Sequence, residues 1–272
     1  MPVVDVGGIR IGANEPLALI AGPCVLEDEH EMLSLAISLA ETCAHSGIPM
    51  VFKASFDKAN RTSLTSYRGP GLEEGLRILA AIRRAANIPL TTDVHLPDQA
   101  ARVAEIVDLL QVPAFLCRQT DLLVACGATG RPVNLKKGQF VAPSDMRHAI
   151  DKVAAHGDGG VLVTERGTTF GYHDLVADMR SIGTLRALGV PVVFDATHAV
   201  QRPGGAGDRS GGQREHVPAL ARAAVAAGAD AVFLEVHPEP ARALSDAATQ
   251  LPLAEFPALV RQLTAIGAVV RG

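Results

Sequence analysis

One unit recurs eight times along this chain: an apolar run of strand length, a polar loop, then an Ala/Leu-rich amphipathic segment. The runs are LALIAGPCV (17–25), PMVFKAS (49–55), PLTTDV (89–94), VDLLQVPA (107–114), PVNLKKG (132–138), VLVTERG (161–167), PVVFDATH (191–198) and AVFLEVHP (231–238). Near-continuous apolar character marks strands buried on both faces, and alternation with helices marks a parallel sheet. Eight such repeats within 272 residues predict an α/β fold, a (β/α)8 TIM barrel. A doubly wound open sheet is the alternative, and the missing GxGxxG after the first strand counts against it. Seven helical segments can be marked, among them EMLSLAISLAETCAHSG and LEEGLRILAAIRRAAN. Val3–Ile11, VVDVGGIRI, adds a short leading hairpin around Gly-Gly, within residues 1–14. No linker or second domain is visible, so the expectation is a single barrel domain over residues 1–272.

In such a barrel, chemistry collects where strands end and βα loops begin. Read in order, those ends carry Cys24; Lys53 and Ser55; Asp93 and His95; Pro113 and Ala114; Lys136; Arg166; His198; and Glu235. Strands seven, eight and one are neighbours in a closed barrel, so His198, Glu235 and Cys24 converge. A thiol, an imidazole and a carboxylate together suit a divalent metal ion, with Asp246 in the last loop as a fourth ligand. Zn, Fe, Mn and Co all fit this mixed donor set. Taken singly, Cys24 reads as small apolar packing and His198 as a satisfied core histidine; three adjacent strand ends favour ligation. Cys43 and Cys126 fall in helical segments and read as packing. The opposite arc carries Lys53, Lys58, Arg61, Arg118, Lys136 and Arg166.

The stretch FKASFDKANRTSLTSYRGPG (52–71) sharpens that arc. Its cations are interleaved with Ser55, Asn60, Thr62 and Ser63 over no apolar periodicity, a mixture suited to phosphate or carboxylate oxygens. The chain has twenty Arg but five Lys, and four of these, at 53, 58, 136 and 137, cluster at two strand ends. A compact ammonium is therefore required there rather than a guanidinium fork. Net charge is −4 and Trp is absent, which argues against nucleic acid as a partner. No apolar run has membrane-spanning length, no signal peptide is visible, and the four Cys lack disulfide spacing; a cytoplasmic protein with reduced thiols is expected. Gln201–Gly212, QRPGGAGDRSGG, reads as a mobile lid.

Together FKASFDKANRTS, SYRGPGLEEGL, TDVH, QVPAFLCRQTDL, NLKKGQF, ERGTTFGY, DATHAVQ and FLEVHP resemble the 3-deoxy-D-manno-octulosonate-8-phosphate synthase family, also named 2-dehydro-3-deoxyphosphooctonate aldolase. The resemblance runs from about Leu17 to Leu253. It implies condensation of phosphoenolpyruvate with arabinose 5-phosphate in lipopolysaccharide core sugar biosynthesis, by a homotetramer in which Arg118 reaches across a subunit interface. It further implies that Lys58, Lys136, Arg166 and the backbone at Ala114 hold phosphoenolpyruvate, while Asn60, Arg61, Thr62 and Arg118 hold the sugar phosphate. Lys53, Ser55 and Asp93 would line the space between, and Gln201, the first residue of the lid, is a further substrate-binding candidate. Lys58, Asp93 and His198 are the candidates for catalysis. In the metal-independent branch Asn stands at the position of Cys24, so this chain resembles the metal-dependent branch, with Cys24, His198, Glu235 and Asp246 as ligands. The family has Gly after the last-loop Asp; Ala247 stands there, so a left-handed backbone at that position would carry a steric cost. Related synthases acting on erythrose 4-phosphate or an N-acetylated amino sugar, and a silent sugar-phosphate-binding barrel, are the competing expectations.

Overall fold

The computed structural model describes residues 3–61, 63–204 and 211–271. Eight parallel strands form the barrel: β1 (Ala18–Gly22), β2 (Met50–Lys53), β3 (Leu90–Asp93), β4 (Leu109–Val112), β5 (Val133–Lys136), β6 (Val161–Glu165), β7 (Val192–Asp195) and β8 (Ala231–His237). Each pairs with its neighbours in sequence, and the ring closes where β8 pairs with β1, Ala231 opposite Ala18. Sequence runs overshoot these strands by up to two residues at the N-terminal end and up to three at the C-terminal end, where the chain has already left the ladder for the loops.

The helices are α1 (Glu29–His45), α2 (Leu72–Ala86), α3 (Gln99–Ala104), α4 (Thr120–Gly127), α5 (Arg147–Ala154), α6 (Arg180–Arg186), α7 (Val217–Ala226) and α8 (Phe256–Arg271). Among the described residues that is one more α-helix than the periodicity marks, and α3 and α6 are too short to show a period. In α1 the buried positions Met32, Leu35, Ala36, Leu39 and Cys43 form one stripe, and Asp28 caps the first turn by accepting from the amide of Glu31. These stripes cover the outward side chains of the strands, such as Phe52, Leu90, Leu110 and Val133, in one continuous shell. By length and composition alone Leu253–Arg271 is apolar enough to cross a membrane, contrary to the expectation from the sequence. Here Phe256, Leu259, Val260, Leu263 and Gly267 of that segment are buried in the protein's own outer layer.

The inward side chains form a second, separate cluster. Ala18, Ile20, Val51, Leu109, Leu162, Val193, Ala231 and Phe233 fill the lower lumen. Val4, Val6 and Ile11 of the leading hairpin (Val4–Val6 with Ile9–Ile11) pack into that cluster and plug the N-terminal mouth. Gly7 and Gly8 both have positive φ, as the tight turn requires. Above Phe233 the inward positions become polar: Lys53, Asp93, Gln111, Asn134, Lys136, Thr164, Asp195 and Glu235 are all at most 7% exposed.

Candidate active site

Gly22 ends β1 so close to β2 that a Cβ there would lie 2.0 Å from the carbonyl oxygen of Lys53. That approach lets the Lys53 ammonium reach both the Cys24 carbonyl oxygen, at 2.8 Å, and Glu235 Oε1, at 2.8 Å. Ligand atoms of Cys24, Glu235 and Asp246 all lie within 4.8 Å of one another. His198 Nε2 stands 3.6 Å from Glu235 Oε1 and 3.6 Å from Asp246 Oδ2. Its other nitrogen, Nδ1, is paired with Asp195 Oδ2 at 2.7 Å, the carboxylate–imidazole arrangement that orients a histidine for ligation.

Four donors from the ends of strands one, seven and eight and from the last loop thus meet at the C-terminal mouth of the barrel. Burial, then the carboxylates of Asp246 and Glu235, push the Cys24 thiol well up from its ordinary range. Burial would lower His198, but Asp195 and Glu235 more than reverse this and raise it. Buried Glu235 Oε2 has no hydrogen-bond partner among the described residues. A buried thiol, two carboxylates and an oriented imidazole with an orphaned oxygen fit a divalent cation, which would draw the thiol to its thiolate form.

Asp246 reaches this cluster by adopting φ +47° itself, a conformation Asp tolerates better than most residues. Ala247 does not have positive φ, so the steric cost expected from the missing Gly does not arise. The short strand Leu251–Pro252 pairs with the end of β8 and ties down the far side of this loop.

Above the cluster opens a cleft of about 750 Å³. Lys53, Lys58, Asn60, Arg61, Asp93, Ala114, Lys136, Arg166, His198, Gln201 and Asp246 all line it. Lys58 Nζ is 4.0 Å from Glu235 Oε1. Burial opposes its charge, but Cys24, Glu235, Asp93 and Asp246 together raise its pKa, so it remains an ammonium. Lys136 pairs with Asp195 and sits 3.3 Å above the centroid of the Phe233 ring, a cation–π contact. Burial pulls Lys136 down, partly offset by Asp195, and burial likewise lowers Arg166. Arg166 donates to Gln201 Oε1 at 3.0 Å, while its buried Nη1 has no partner among the described residues. Desolvated cations with unused donors gain most from an arriving anion.

The loop carrying Lys58 is fixed by its own backbone. The Lys58 amide donates to the Arg68 carbonyl at 2.7 Å, and the Gly71 amide to that of Phe56 at 3.0 Å. At Gly69, φ +116°, a Cβ would lie 2.4 Å from the Phe56 carbonyl oxygen, so Gly is required at that point of Arg68-Gly69-Pro70-Gly71.

Not every expected site residue meets in the cleft. Ser55 lies beneath it, fully buried, donating to Asp93 Oδ2 at 2.6 Å. Arg118 is exposed and does not line the cleft. Thr62 and residues 205–210 of the expected lid lie outside the described residues; the lid's ends pair as Gln201–Arg202 with Gly211–Gly212. Lys137 parts from Lys136: fully buried, it donates to the carbonyls of Gly138, Val141 and Gly167 and to Thr168 Oγ1, tying two loops together.

Asp195, Gln111, Asn134 and Thr164 join the site without having been among the residues expected from the sequence. Their signal was present: polar residues at the inward phase of short strands otherwise buried on both faces. Burial would raise the Asp93 carboxyl, but Lys58, Lys53 and His95 hold it well below the usual range.

The fold and this site define a (β/α)8 barrel with a cationic cleft over a metal-ligand-type cluster, and the chain belongs to the DAHP synthetase I family, whose profile matches residues 1–268. Among its relatives, a protein of Nitratidesulfovibrio vulgaris strain DP4 is 59% identical over 265 residues, covering 97% of this chain and 96% of the relative. One from Syntrophotalea carbinolica is 57% identical over 269 residues, covering 99% and 97%. One from Citrifermentans bemidjiense is 54% identical over 267 residues, covering 98% of each. All three are named 2-dehydro-3-deoxyphosphooctonate aldolase.

Proposed function

We propose that this chain condenses phosphoenolpyruvate with D-arabinose 5-phosphate and water, giving 3-deoxy-D-manno-octulosonate 8-phosphate and inorganic phosphate for lipopolysaccharide core sugar synthesis in the cytoplasm. The observation that carries the reading is one cleft in which desolvated Lys136 and Arg166 face a buried thiol, imidazole and carboxylate cluster. Two phosphorylated substrates, one also a carboxylate, bring about four to five negative charges together, and their repulsion must be offset by fixed cations. The names of the relatives point to the same reaction.

The C2–C3 π electrons of phosphoenolpyruvate form the bond from C3 to the sugar aldehyde carbon, whose oxygen takes up a proton; water adds at C2 and loses its protons as the bond from C2 to the phosphate oxygen breaks, leaving the C2 ketone and inorganic phosphate. Lys58, Lys136, Arg166 and the backbone at Ala114 hold phosphoenolpyruvate, with Gln201 fixing the Arg166 guanidinium. Asn60, Arg61 and Thr62 hold the sugar phosphate. Arg118, exposed on one subunit, completes a neighbour's sugar-phosphate site in a homotetramer. Lys58, whose charge is favoured by the surrounding carboxylates, donates a proton or stabilises developing negative charge. Asp93 and His198 fix the reacting groups between the two phosphate sites. A divalent ion held by Cys24, His198, Glu235 and Asp246 would polarise the aldehyde or orient the water. Much of the acceleration comes from holding both substrates in register.

The test is phosphate release from phosphoenolpyruvate with a panel of aldose phosphates, run on metal-loaded and chelated protein with metal content measured by elemental analysis. Arabinose 5-phosphate should be the best acceptor, and comparable turnover with erythrose 4-phosphate would sink the substrate assignment. Chelation and Cys24→Ala should each remove bound metal and turnover while circular dichroism stays unchanged. Full turnover of metal-free protein would overturn the metal role. Arg118→Lys should raise the KM for arabinose 5-phosphate, because Lys cannot form the bidentate fork; an unchanged KM removes Arg118 from the site.

A further inference from the structure

Four consecutive barrel strands are linked inside the lumen by one unbroken chain of side-chain hydrogen bonds. Thr164 Oγ1 on β6 donates to Asn134 Oδ1 on β5 at 2.6 Å. Asn134 Nδ2 donates to Gln111 Oε1 on β4 at 3.1 Å. Gln111 Nε2 then donates to Asp93 Oδ1 on β3. Ser55, just beyond β2, closes the far end on the other Asp93 oxygen. Thr164 and Asn134 are wholly buried and neither lines the cleft; Gln111 and Asp93 both do.

The direction of this chain is fixed from one end. An ionised carboxylate only accepts, so Gln111 must turn its NH2 to Asp93. Its carbonyl oxygen then faces Asn134, which must answer with its own NH2, and the Asn134 oxygen is left to a donor on β6. Thr164 supplies that donor. Because one Gln111 amide hydrogen is committed to Asp93, the second is the donor left at the cleft wall. A reversed amide would set two oxygens against each other at Asp93 and offer an acceptor where substrate anions need a donor.

We propose that Thr164 and Asn134 are positioning residues that act through Gln111, locking its amide so that the wall between Asp93 and Lys136 presents a hydrogen-bond donor to the bound anions. This rests on the proposed reaction for its kinetic readout but not for its structural one. Thr164→Val keeps the side chain's shape and deletes the donor, leaving the Asn134 oxygen buried and unpaired, so that the Asn134 amide no longer holds Gln111 Oε1 and the Gln111 amide is fixed from the Asp93 side alone.

The experiment is a double-mutant cycle on kcat/KM with Gln111→Met, accompanied by the Gln111 side-chain amide resonance in the ¹⁵N–¹H spectrum, assigned by its loss in Gln111→Met. Thr164→Val should lower kcat/KM about tenfold in the parent background and less than about twofold when Gln111 is Met, as expected of residues acting as one unit. Thr164→Ser restores the donor and should stay within about threefold of the parent. The Gln111 amide resonance should shift in Thr164→Val and stay in place in Thr164→Ser. Equal losses in both backgrounds, or a lower melting temperature with unchanged kinetics, would reduce Thr164 to packing. An unmoved Gln111 resonance in Thr164→Val overturns the relay whether or not the reaction is as proposed. Absence of turnover in the parent, with the resonance shift intact, sinks the reaction and leaves the relay standing.

Discussion

Below Phe233 the lumen is hydrocarbon, filled by Ile20, Val51, Leu109, Leu162 and Val193 and sealed by Val4, Val6 and Ile11 of the hairpin. Above it the same strands turn Lys53, Asp93, Gln111, Asn134, Lys136, Thr164, Asp195 and Glu235 toward one another. The ring of Phe233 is the boundary, with the Lys136 ammonium on its upper face. The lower half can be assembled from any well-packed apolar residues, because dispersion and the hydrophobic effect have no direction. The upper half has no such latitude, since each buried polar atom needs a particular partner in a particular direction. Tolerance to substitution therefore resides in the lower half, and function in the upper half, where the loss of one partner is costly.

The largest break in this comparison is expected from Lys53→Met. Lys53 and Glu235 are 2.8 Å apart with side chains 2% and 0% exposed. Removing the ammonium leaves the buried carboxylate, among the described residues, to Lys58 at 4.0 Å and the His198 imidazole at 3.6 Å, neither within hydrogen-bond distance. Loss of one partner of such a pair costs about 3–5 kcal/mol. Urea denaturation should show that loss, together with turnover below detection. Parental stability would mean that the upper half is as tolerant as the lower.

How each half reads in the sequence follows from the same contrast. The outer shell and lower lumen were legible because burial on both faces leaves an apolar run, and eight such runs leave few alternatives. Cys24, His198 and Glu235 were legible as unusual chemistry at strand ends, and the structure does bring them together with Asp246. Gln111, Asn134 and Thr164 were not, since neutral polar residues inside a strand look ordinary until their inward phase is known. Lys136 and Lys137 were read as a pair, although strand alternation sends one to the cleft and the other to three loop carbonyls. The exposure of Arg118 on a loop could not be read from its neighbours in sequence.

A smaller effect separates charge from shape within the upper half. Burial would raise Asp93, but Lys58 and Lys53, with His95, hold it below the carboxylate range, so its folded pKa is depressed. A depressed carboxylate stabilises the fold above its unfolded pKa of about 3.9, and that contribution is lost as pH falls toward the folded value. Asp93→Asn keeps the shape and removes the charge. The parent should exceed the variant by about 2 kcal/mol at pH 7, and the gap should narrow below about pH 4. Other titrating groups cancel in the difference between the two proteins. Urea denaturation at pH 7, 5 and 3 measures it, and a gap that stays constant to pH 3 would show that the cations around Asp93 do not hold it ionised.

The smallest effect belongs to the lower half, and it is the sharpest control. Ile20 is fully buried on β1, two residues before the Gly22 that lets β2 approach. Ile20→Val deletes one methylene-sized volume from the lumen below Phe233 and touches no polar partner. Such a deletion costs about 0.5–1.5 kcal/mol, from lost transfer energy and a small cavity. Because the polar network starts above Phe233 and is anchored strand to strand, this loss should appear in the urea midpoint alone. Values of kcat and KM for both substrates should remain within about twofold of the parent, well inside the change expected from a lost polar contact. A tenfold fall in kcat with intact folding would mean that packing below Phe233 sets the geometry of the cations above it. The lumen would then be one mechanical unit rather than two.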